Sequence, residues 1–504
     1  MNRNGSVVVV GAGLGGLGTA VRLARAGYRV TLLEKNERVG GKLNLVEAGG
    51  FRFDTGPSLI TMPGVLAATF RAAGRRMQDY VTMARLDPIC RYTFADGTRL
   101  DVSPNIPRLV SELDRIMPGE SAGFLRFLAY ARTLYRRAGP TFLLRERPTM
   151  RDLLSRRGLD AARIDAHLAM HTAVRRFFRD PRLVQLFDRY ATYNGSSPYR
   201  APATLAMIPY IELAGGGWYI QGGLYRLAES LLTVARELGV EVRTNSEVEQ
   251  VLVVQNAGRS SASAVGVRLS DGDDVRAGTV IINADPMYAY PALIPQPYQD
   301  RRLVSRMRAL EPSCSGFVLL LGVKGDYSNL AHHSVFFSGD YQAEFRAIFD
   351  EGMPASDPTI YVACTSKTDP TQAPSGYSNL FVLVNAPALP LGQSAGRWQE
   401  WAKPYRDSII AKLEKEALPG LSSRIVYEQS ITPQDFKERY NVWRGAIYGL
   451  SSNSRRTAFL RPPNRAPGLD NLYFVGGSVH PGGGIPLVLL SARLVTRMIT
   501  GAKQ

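Results

Sequence analysis

The chain has 504 residues, 45% of them hydrophobic and 21% charged, the balance of a folded globular protein, which excludes a disordered or fibrous one. That length exceeds what one ordinary core serves, so two or more lobes are expected; no apolar run reaches the roughly 18 residues of a membrane span, which leaves a chain in water or on a lipid surface. The 61 Lys and Arg against 44 acidic residues give a formal net charge of +17, which favours anionic partners; without zinc-finger spacing, an RNP signature or a basic heptad pattern, a membrane surface is preferred over nucleic acid.

At the start, Arg3 followed by Val7 to Leu17 imitates a secretory leader, but the glycines inside that stretch have a better use. Ser6 to Val10 reads as a short buried parallel strand. Gly11-Ala12-Gly13-Leu14-Gly15-Gly16 fits GxGxxG, and a helix to about Gly27 follows, striped by Leu17, Ala20, Leu23 and Ala24. Tyr28 to Leu33 is a second strand ending at Glu34. In such a unit Gly11 permits the tight turn, Gly13 lets backbone approach a pyrophosphate, and Gly16 lets helix pack on strand. The helix start offers N–H groups and a positive dipole end to phosphate, and the acid accepts from a ribose hydroxyl. Dinucleotide binding is the expectation.

After the acid come Lys35 and then Arg38-Val39-Gly40-Gly41-Lys42, followed by Phe53-Asp54-Thr55-Gly56-Pro57-Ser58. The paired glycines allow a second close backbone approach, and Lys42 can neutralise phosphate; a plain solvated turn would use the same residues. Farther on, Phe124, Phe127, Leu128, Ala131, Leu134 and Tyr135 recur at helical spacing, with Arg126, Arg132, Arg136 and Arg137 interleaved. That helix either sinks its apolar face among lipid tails or lies over the protein core. Beyond Gly222-Gly223 a helix is expected from about Leu224 to Leu238, then strands at Val240 to Arg243, Val248 to Val253, Ala264 to Leu269 and Val280 to Ala284. Phe317 to Val323, Ile360 to Ala363 and Leu380 to Val384 are further apolar strand candidates. Near the end, Asn471 to Val475 is a buried strand, Gly476 to Pro486 a glycine-rich turn, and Leu487 to Thr500 a helix with Pro486 in its first turn and Gly501 as its stop.

Cys90, Cys314 and Cys364 stand far apart in no CxxC pairing, which points to buried thiols in a reducing compartment. The histidines show no HExxH-like spacing, so no metal centre is expected.

The stretch from Glu34 to Lys42 resembles the extended FAD fingerprint of the amine-oxidase and phytoene-desaturase superfamily. Gly477-Ser478-Val479-His480-Pro481-Gly482-Gly483-Gly484-Ile485-Pro486-Leu487, with the residues on to Ala492, resembles the bacterial phytoene desaturase type of carotenoid desaturase. Arg189-Tyr190-Ala191-Thr192-Tyr193-Asn194-Gly195-Ser196-Ser197-Pro198-Tyr199 is similar to the subgroup holding hydroxycarotenoid 3,4-desaturases and C30 polyene desaturases, and Pro312 to Phe317 is a third local match. The likeness runs from the first strand to the last helix, with poorer matching from roughly Pro104 to Met170 and Gly339 to Asp357.

The resemblance implies an α/β fold: a Rossmann-like FAD-binding domain of the amine-oxidase/phytoene-desaturase type with an inserted α+β substrate lobe. Residues 1–61, 215–285 and 450–504 would form the FAD domain, 62–214 a helical membrane and substrate lobe, and 286–449 a substrate domain. It implies FAD as sole redox cofactor, held among Gly11, Gly13, Gly16, Glu34, Lys35, Gly40, Gly41, Lys42, Pro57, Ser58, Val248, Gly476, Gly477, Gly484, Ile485, Pro486 and Leu487. Amine oxidases usually carry an acid where Gly477 stands, which counts against that activity.

The implied reaction is dehydrogenation of a C30 or C40 polyene, with hydride leaving an allylic carbon for flavin N5 and a proton leaving the neighbouring carbon. Phe177, Phe178, Tyr193, Tyr199, Tyr210, Trp218 and Tyr219 are candidates for the channel wall, since aromatic faces stabilise positive charge. Glu212 and His480 are candidate proton acceptors. No second GxGxxG unit offers a place for NAD(P)H, so oxygen or a membrane quinone is the expected electron acceptor, and the cytoplasmic side of a membrane the expected place. The alternatives are a carotenoid oxygenase or isomerase of the same superfamily, a flavin-dependent amine oxidase, and a non-catalytic carotenoid or membrane-binding protein that retains FAD as a structural element.

Overall fold

The computed structural model describes residues 5–142, 165–257, 261–391, 396–459 and 461–501; Arg3 lies outside them. The start, the middle and the end of the polypeptide meet in one parallel sheet. Its order is Leu472–Phe474, Thr279–Ile282, Ser6–Val10, Arg29–Leu33, Glu241–Arg243. Val8 pairs with Val280 on one side and Thr31 on the other, and Ile281 with Tyr473. The central strands Ser6–Val10 and Thr279–Ile282 are short β-branched runs with buried interiors, as a parallel sheet covered by helices requires, while the edge strand Glu241–Arg243 is largely exposed.

Helix Leu14–Arg25 covers one face together with Arg226–Glu237 and the last helix, Ile485–Thr500. Gly18 lets the first and last helices touch, because a Cβ there would stand 3.1 Å from Leu489 Cδ2. Leu66, Phe70, Met77 and Val81 join this same core, so it draws on sequence beyond residue 61. An antiparallel layer, Val248–Gln255, Ala262–Leu269 and Asp274–Arg276, lies beside the sheet.

The second half of the architecture is a seven-stranded sheet among the described residues, in the order Ile425–Ile431, Ser315–Lys324, Tyr377–Ala386, Ile360–Ala363, His333–Phe336, Cys90–Thr93, Arg99–Val102. The last two strands come from the first insertion, so that segment is more than helical. Cys90–Thr93 pairs parallel to His333–Phe336, which ties both insertions into one unit.

Helix Ser121–Phe142 packs over the edge of that unit. Phe124, Phe127, Ala131 and Leu134 are buried while Arg126, Arg132, Arg136 and Arg137 are exposed. Phe127 meets Phe187 at 4.4 Å and Phe178 at 5.5 Å between ring centroids. The apolar stripe therefore faces protein, which corrects the picture of a helix sunk among lipid tails. The arginine side remains outside. Among the described residues no helix is long and apolar enough to cross a membrane, no group of three potential metal ligands occurs, and all three cysteines are buried and unbridged.

Candidate functional site

One cavity runs between the two halves, lined by the glycine turns of both chain ends and by the seven-stranded sheet. Its floor is the turn after the first strand. Gly16 has no room for a side chain, since a Cβ would lie 2.1 Å from the Gly11 carbonyl oxygen; the helix packs hard against the turn that precedes it. Asn283, just past its strand, donates from Nδ2 to that same carbonyl at 3.1 Å. A Cβ on Gly15 would meet Asn283 Oδ1 at 2.5 Å and Gly476 Cα at 3.1 Å, so one asparagine seats the first and the last glycine turns together.

Two helix starts open on this cavity. Neither Gly13, which caps the first helix, nor Gly484, which caps the last, supplies a side-chain acceptor, and the side-chain direction at Gly484 (φ +98°) is open space. Helix N-terminal N–H groups without a protein cap need an outside acceptor.

Glu34 ends the second strand, 5% exposed. Its carboxylate accepts from the Ala12 N–H at 2.8 Å, the Asn36 N–H at 3.0 Å and Asn36 Nδ2 at 2.8 Å. A carboxylate has about four acceptor positions, so one remains for a ligand hydroxyl. Val248 lines the cavity nearby, and the Ser246 N–H donates to the Glu34 carbonyl at 2.8 Å.

Gly40, Gly41, Pro57 and Ser58 line the middle. Lys42 lies there too, donating from Nζ to the Ile447 carbonyl at 2.7 Å; burial pushes its ammonium down, opposed by the charge of Asp285. Lys35 also lines the cavity, but its ammonium is engaged by the Glu438 carbonyl at 2.9 Å and Asn441 Oδ1 at 3.0 Å. Gly476, Gly477, Ile485 and Pro486 close this part from the C-terminal side.

The far wall is mostly apolar and aromatic: Leu59, Ile89, Val318, Tyr361, Phe381 and Leu383. Ser58 Oγ is hydrogen-bonded to the Tyr361 hydroxyl, which in turn pairs with His333 Nδ1 at 2.6 Å. Burial holds His333 neutral, well below the usual histidine range. Arg189 shares this wall, its guanidinium carbon 5.8 Å from the Tyr361 ring centre.

Several sequence candidates lie elsewhere. Gly16 and Leu487 do not line the cavity; Gly16 is packed beneath the turn, and Leu487 is half-buried outside the lining. Of the seven aromatic candidates, Tyr193 alone borders the cavity. Phe177 and Phe178 pack on Phe127, Tyr199 on His171 and Tyr210 on Tyr135. Trp218 donates to the Gly215 carbonyl at 2.9 Å, and Tyr219 is fully buried against His332. Phe178 and Tyr219 are buried in the core, while Phe177, Tyr199, Tyr210 and Trp218 are half-buried outside the cavity lining; an aromatic residue serves packing and ligand contact equally well, and the local pattern does not separate them. Glu212 stands behind the wall, accepting from the Tyr190 hydroxyl at 2.7 Å and the Tyr193 hydroxyl at 2.6 Å; burial raises its pKa, opposed by those hydrogen bonds. His480 is buried away from the cavity, its carbonyl accepting from Asn464 Nδ2 and Ser491 Oγ, both at 3.0 Å.

The model of flavin containing amine oxidoreductases matches residues 14–500. The chain belongs to this family. It is 39% identical to 4,4'-diapolycopene oxygenase of Methylomonas sp. across 100% of this chain and 99% of that one. It is also 39% identical to the zeta-carotene-forming phytoene desaturase of Myxococcus xanthus, over 98% and 94%. Among solved structures, an oxidoreductase from Methanosarcina mazei shares the fold at TM-score 0.64 and 19% identity, covering 97% of this chain and 99% of that one. Putrescine oxidase bound to putrescine does so at 0.66 and 13%, with 99% of each covered. The chain is thus an FAD-dependent oxidoreductase of the carotenoid desaturase type within this family, and FAD is its cofactor. The cavity fits that group, with uncapped helix starts for phosphate, a spare carboxylate position for ribose, and a turn too tight for any side chain at Gly16.

Among the lining residues that escaped the sequence reading are Asn283, Asp285, Tyr361 and Arg189. An Asn directly after a buried parallel strand is a local signal for the first. Arg189 left one as well, a lone cation inside the otherwise uncharged stretch from Arg189 to Tyr199.

Proposed function

We propose that this oxidoreductase dehydrogenates a long carotenoid polyene. The observation that carries the reading is the cavity itself: the FAD end, walled by glycine turns, continues without a break into a greasy wall built by the inserted sheet. The relatives support the substrate class, being named for polyene oxidation. Gly11, Gly13, Glu34, Gly40, Gly41, Lys42, Val248, Gly476, Gly477, Gly484, Ile485 and Pro486 would hold the cofactor, with Pro57 and Ser58 at the junction with the substrate wall. When bound, FAD supplies an acceptor for a hydride. The protein's share is to orient the polyene, exclude water and offer ring faces to the positive charge that conjugation spreads along the chain. Tyr193 and Tyr361 provide such faces, and Glu212 fixes the first of them from behind.

Membrane delivery suits so insoluble a substrate. The exposed arginines of helix Ser121–Phe142 supply electrostatic attachment to an anionic leaflet on the cytoplasmic side, and oxygen or a membrane quinone takes the electrons. A second reading, oxygen insertion at the polyene terminus, draws equal support from the Methylomonas relative at 39% identity.

Expression in cells that make C30 or C40 polyenes, with pigment spectra and mass, tests both. Loss of mass in steps of two hydrogens with a red shift supports dehydrogenation; gain of oxygen supports the second reading. Unchanged pigments beside flavin-loaded protein would defeat the proposal.

A further inference from the structure

Arg189 is an expensive residue for a hydrocarbon wall. It is 9% exposed, and its guanidinium carbon stands 5.5 Å from the Tyr92 ring centre, 5.4 Å from Tyr193 and 5.8 Å from Tyr361. Its Nη1 donates to the Tyr92 hydroxyl at 3.0 Å. Glu212, the carboxylate that feels its field, has both oxygens engaged by the Tyr190 and Tyr193 hydroxyls. A guanidinium stays charged, and it carries five N–H donors.

Three tyrosine faces and one hydroxyl offset only part of the cost of removing that charge from water. A cation at this place also opposes positive charge on a bound hydrocarbon. Two further polar atoms nearby go unmatched: His333 Nε2 and the Tyr341 hydroxyl are buried without a hydrogen-bond partner, and both side chains line the same cavity. Both feel the charge of Arg189. Buried polar groups of native proteins find partners, so these two unmatched atoms beside a guanidinium that faces the same cavity mark where a ligand's polar atoms belong.

Building on the polyene reading above, we propose that Arg189 forms, with His333 and Tyr341, a subsite for an oxygen-bearing end of the substrate, a carbonyl or carboxylate carried by the polyene terminus. The guanidinium gives a planar pair of donors to such an oxygen, as it does to carboxylates elsewhere. Tyr193 and Tyr361 hold it from either side, the first anchored by Glu212 and the second by Ser58 and His333. Glu212 is thus a positioning residue for the subsite. A carboxylate end group also eases the conflict between a fixed cation and the charge that dehydrogenation develops, because its negative charge offsets the guanidinium's.

The test is binding, measured by quenching of protein and flavin fluorescence in the flavin-loaded enzyme. The probes are an acyclic C30 polyene hydrocarbon and the same polyene carrying one terminal carboxylate, both delivered in neutral detergent micelles. Wild type should prefer the carboxylate probe by about 10- to 100-fold, the range of a hydrogen-bonded charged group. Arg189→Met should erase that preference while hydrocarbon affinity and flavin content hold, and Arg189→Lys should keep part of it. Equal affinity of wild type for the two probes overturns the subsite, whatever the variants do. So does an equal loss of both probes in Arg189→Met, which would make the residue structural. Binding of neither probe by the flavin-loaded protein overturns the polyene reading and the subsite with it, whereas tight binding of the hydrocarbon alone overturns only the subsite.

Discussion

Replacing Glu34 by Ala separates the ribose contact from the rest of the cofactor site. The substitution removes the acceptor of the Ala12 N–H at 2.8 Å and of the Asn36 N–H at 3.0 Å. Each buried N–H left unpaired costs about 1–3 kcal/mol, a loss felt by the fold with or without FAD. On the assignment of Glu34 to the ribose, FAD would also lose a charged acceptor for that hydroxyl, a contact worth about 1.5–3 kcal/mol. In affinity that is about 10- to 100-fold. Flavin-stripped wild type and Glu34→Ala protein, each titrated with FAD and with FMN, give the measurement. FMN lacks the adenosine ribose, so its affinity should fall much less than that of FAD. Wild-type FAD affinity in the variant, or equal losses for both flavins in protein with a normal melting curve, would refute the assignment.

Asp54 gives a pH signature: it accepts from the Leu224 and Tyr225 N–H groups at 2.8 and 2.9 Å, and burial lifts its pKa to about 6. An acid whose folded pKa lies above its unfolded value favours the folded state when protonated, so this group's stability is full below about pH 4 and is lost as pH rises to about 6, up to ~3 kcal/mol. The melting temperature of Asp54→Asn relative to wild type should therefore climb between pH 4 and 7, above a pH-independent offset for the lost acceptor; a flat difference contradicts it. Gly16→Ala, whose Cβ would stand 2.1 Å from the Gly11 carbonyl oxygen, should lower melting temperature and flavin content together, whereas Gly64→Ala, with no atom within 4 Å of its Cβ, should lower neither. Glu212→Gln keeps one acceptor for two tyrosine hydroxyls and should lower turnover by less than about tenfold with flavin content unchanged; a fall beyond about 100-fold would make the carboxylate the proton acceptor after all.

The cofactor half was legible because its information is local. A β-branched strand, a glycine turn and a helix within twenty-odd residues specify one another through backbone sterics and the 3.6 period, and the segments from Ser6 to Glu34 and from Leu472 to Thr500 form those elements to within two residues or so. Periodicity likewise found Ile360–Ala363 and the core of Tyr377–Ala386. It did not find that Cys90–Thr93 completes a sheet with His333–Phe336, since a four-residue strand carries almost no period and its partner lies hundreds of positions away.

Glycine spacing and the acid after the second strand by themselves determined a dinucleotide-binding unit, and the resemblance of the two chain ends to a known family supplied the flavin, the wider fold class and the broad chemistry. Tertiary structure alone decided which aromatic residues border the cavity, that the arginine-striped helix turns its apolar side to protein, and that a buried guanidinium stands in the wall. The reason is that a side chain's local pattern records burial and not what it is buried against. Ser58, Arg189, His333 and Tyr361 become neighbours only when two insertions close one sheet over the cofactor's end of the cavity.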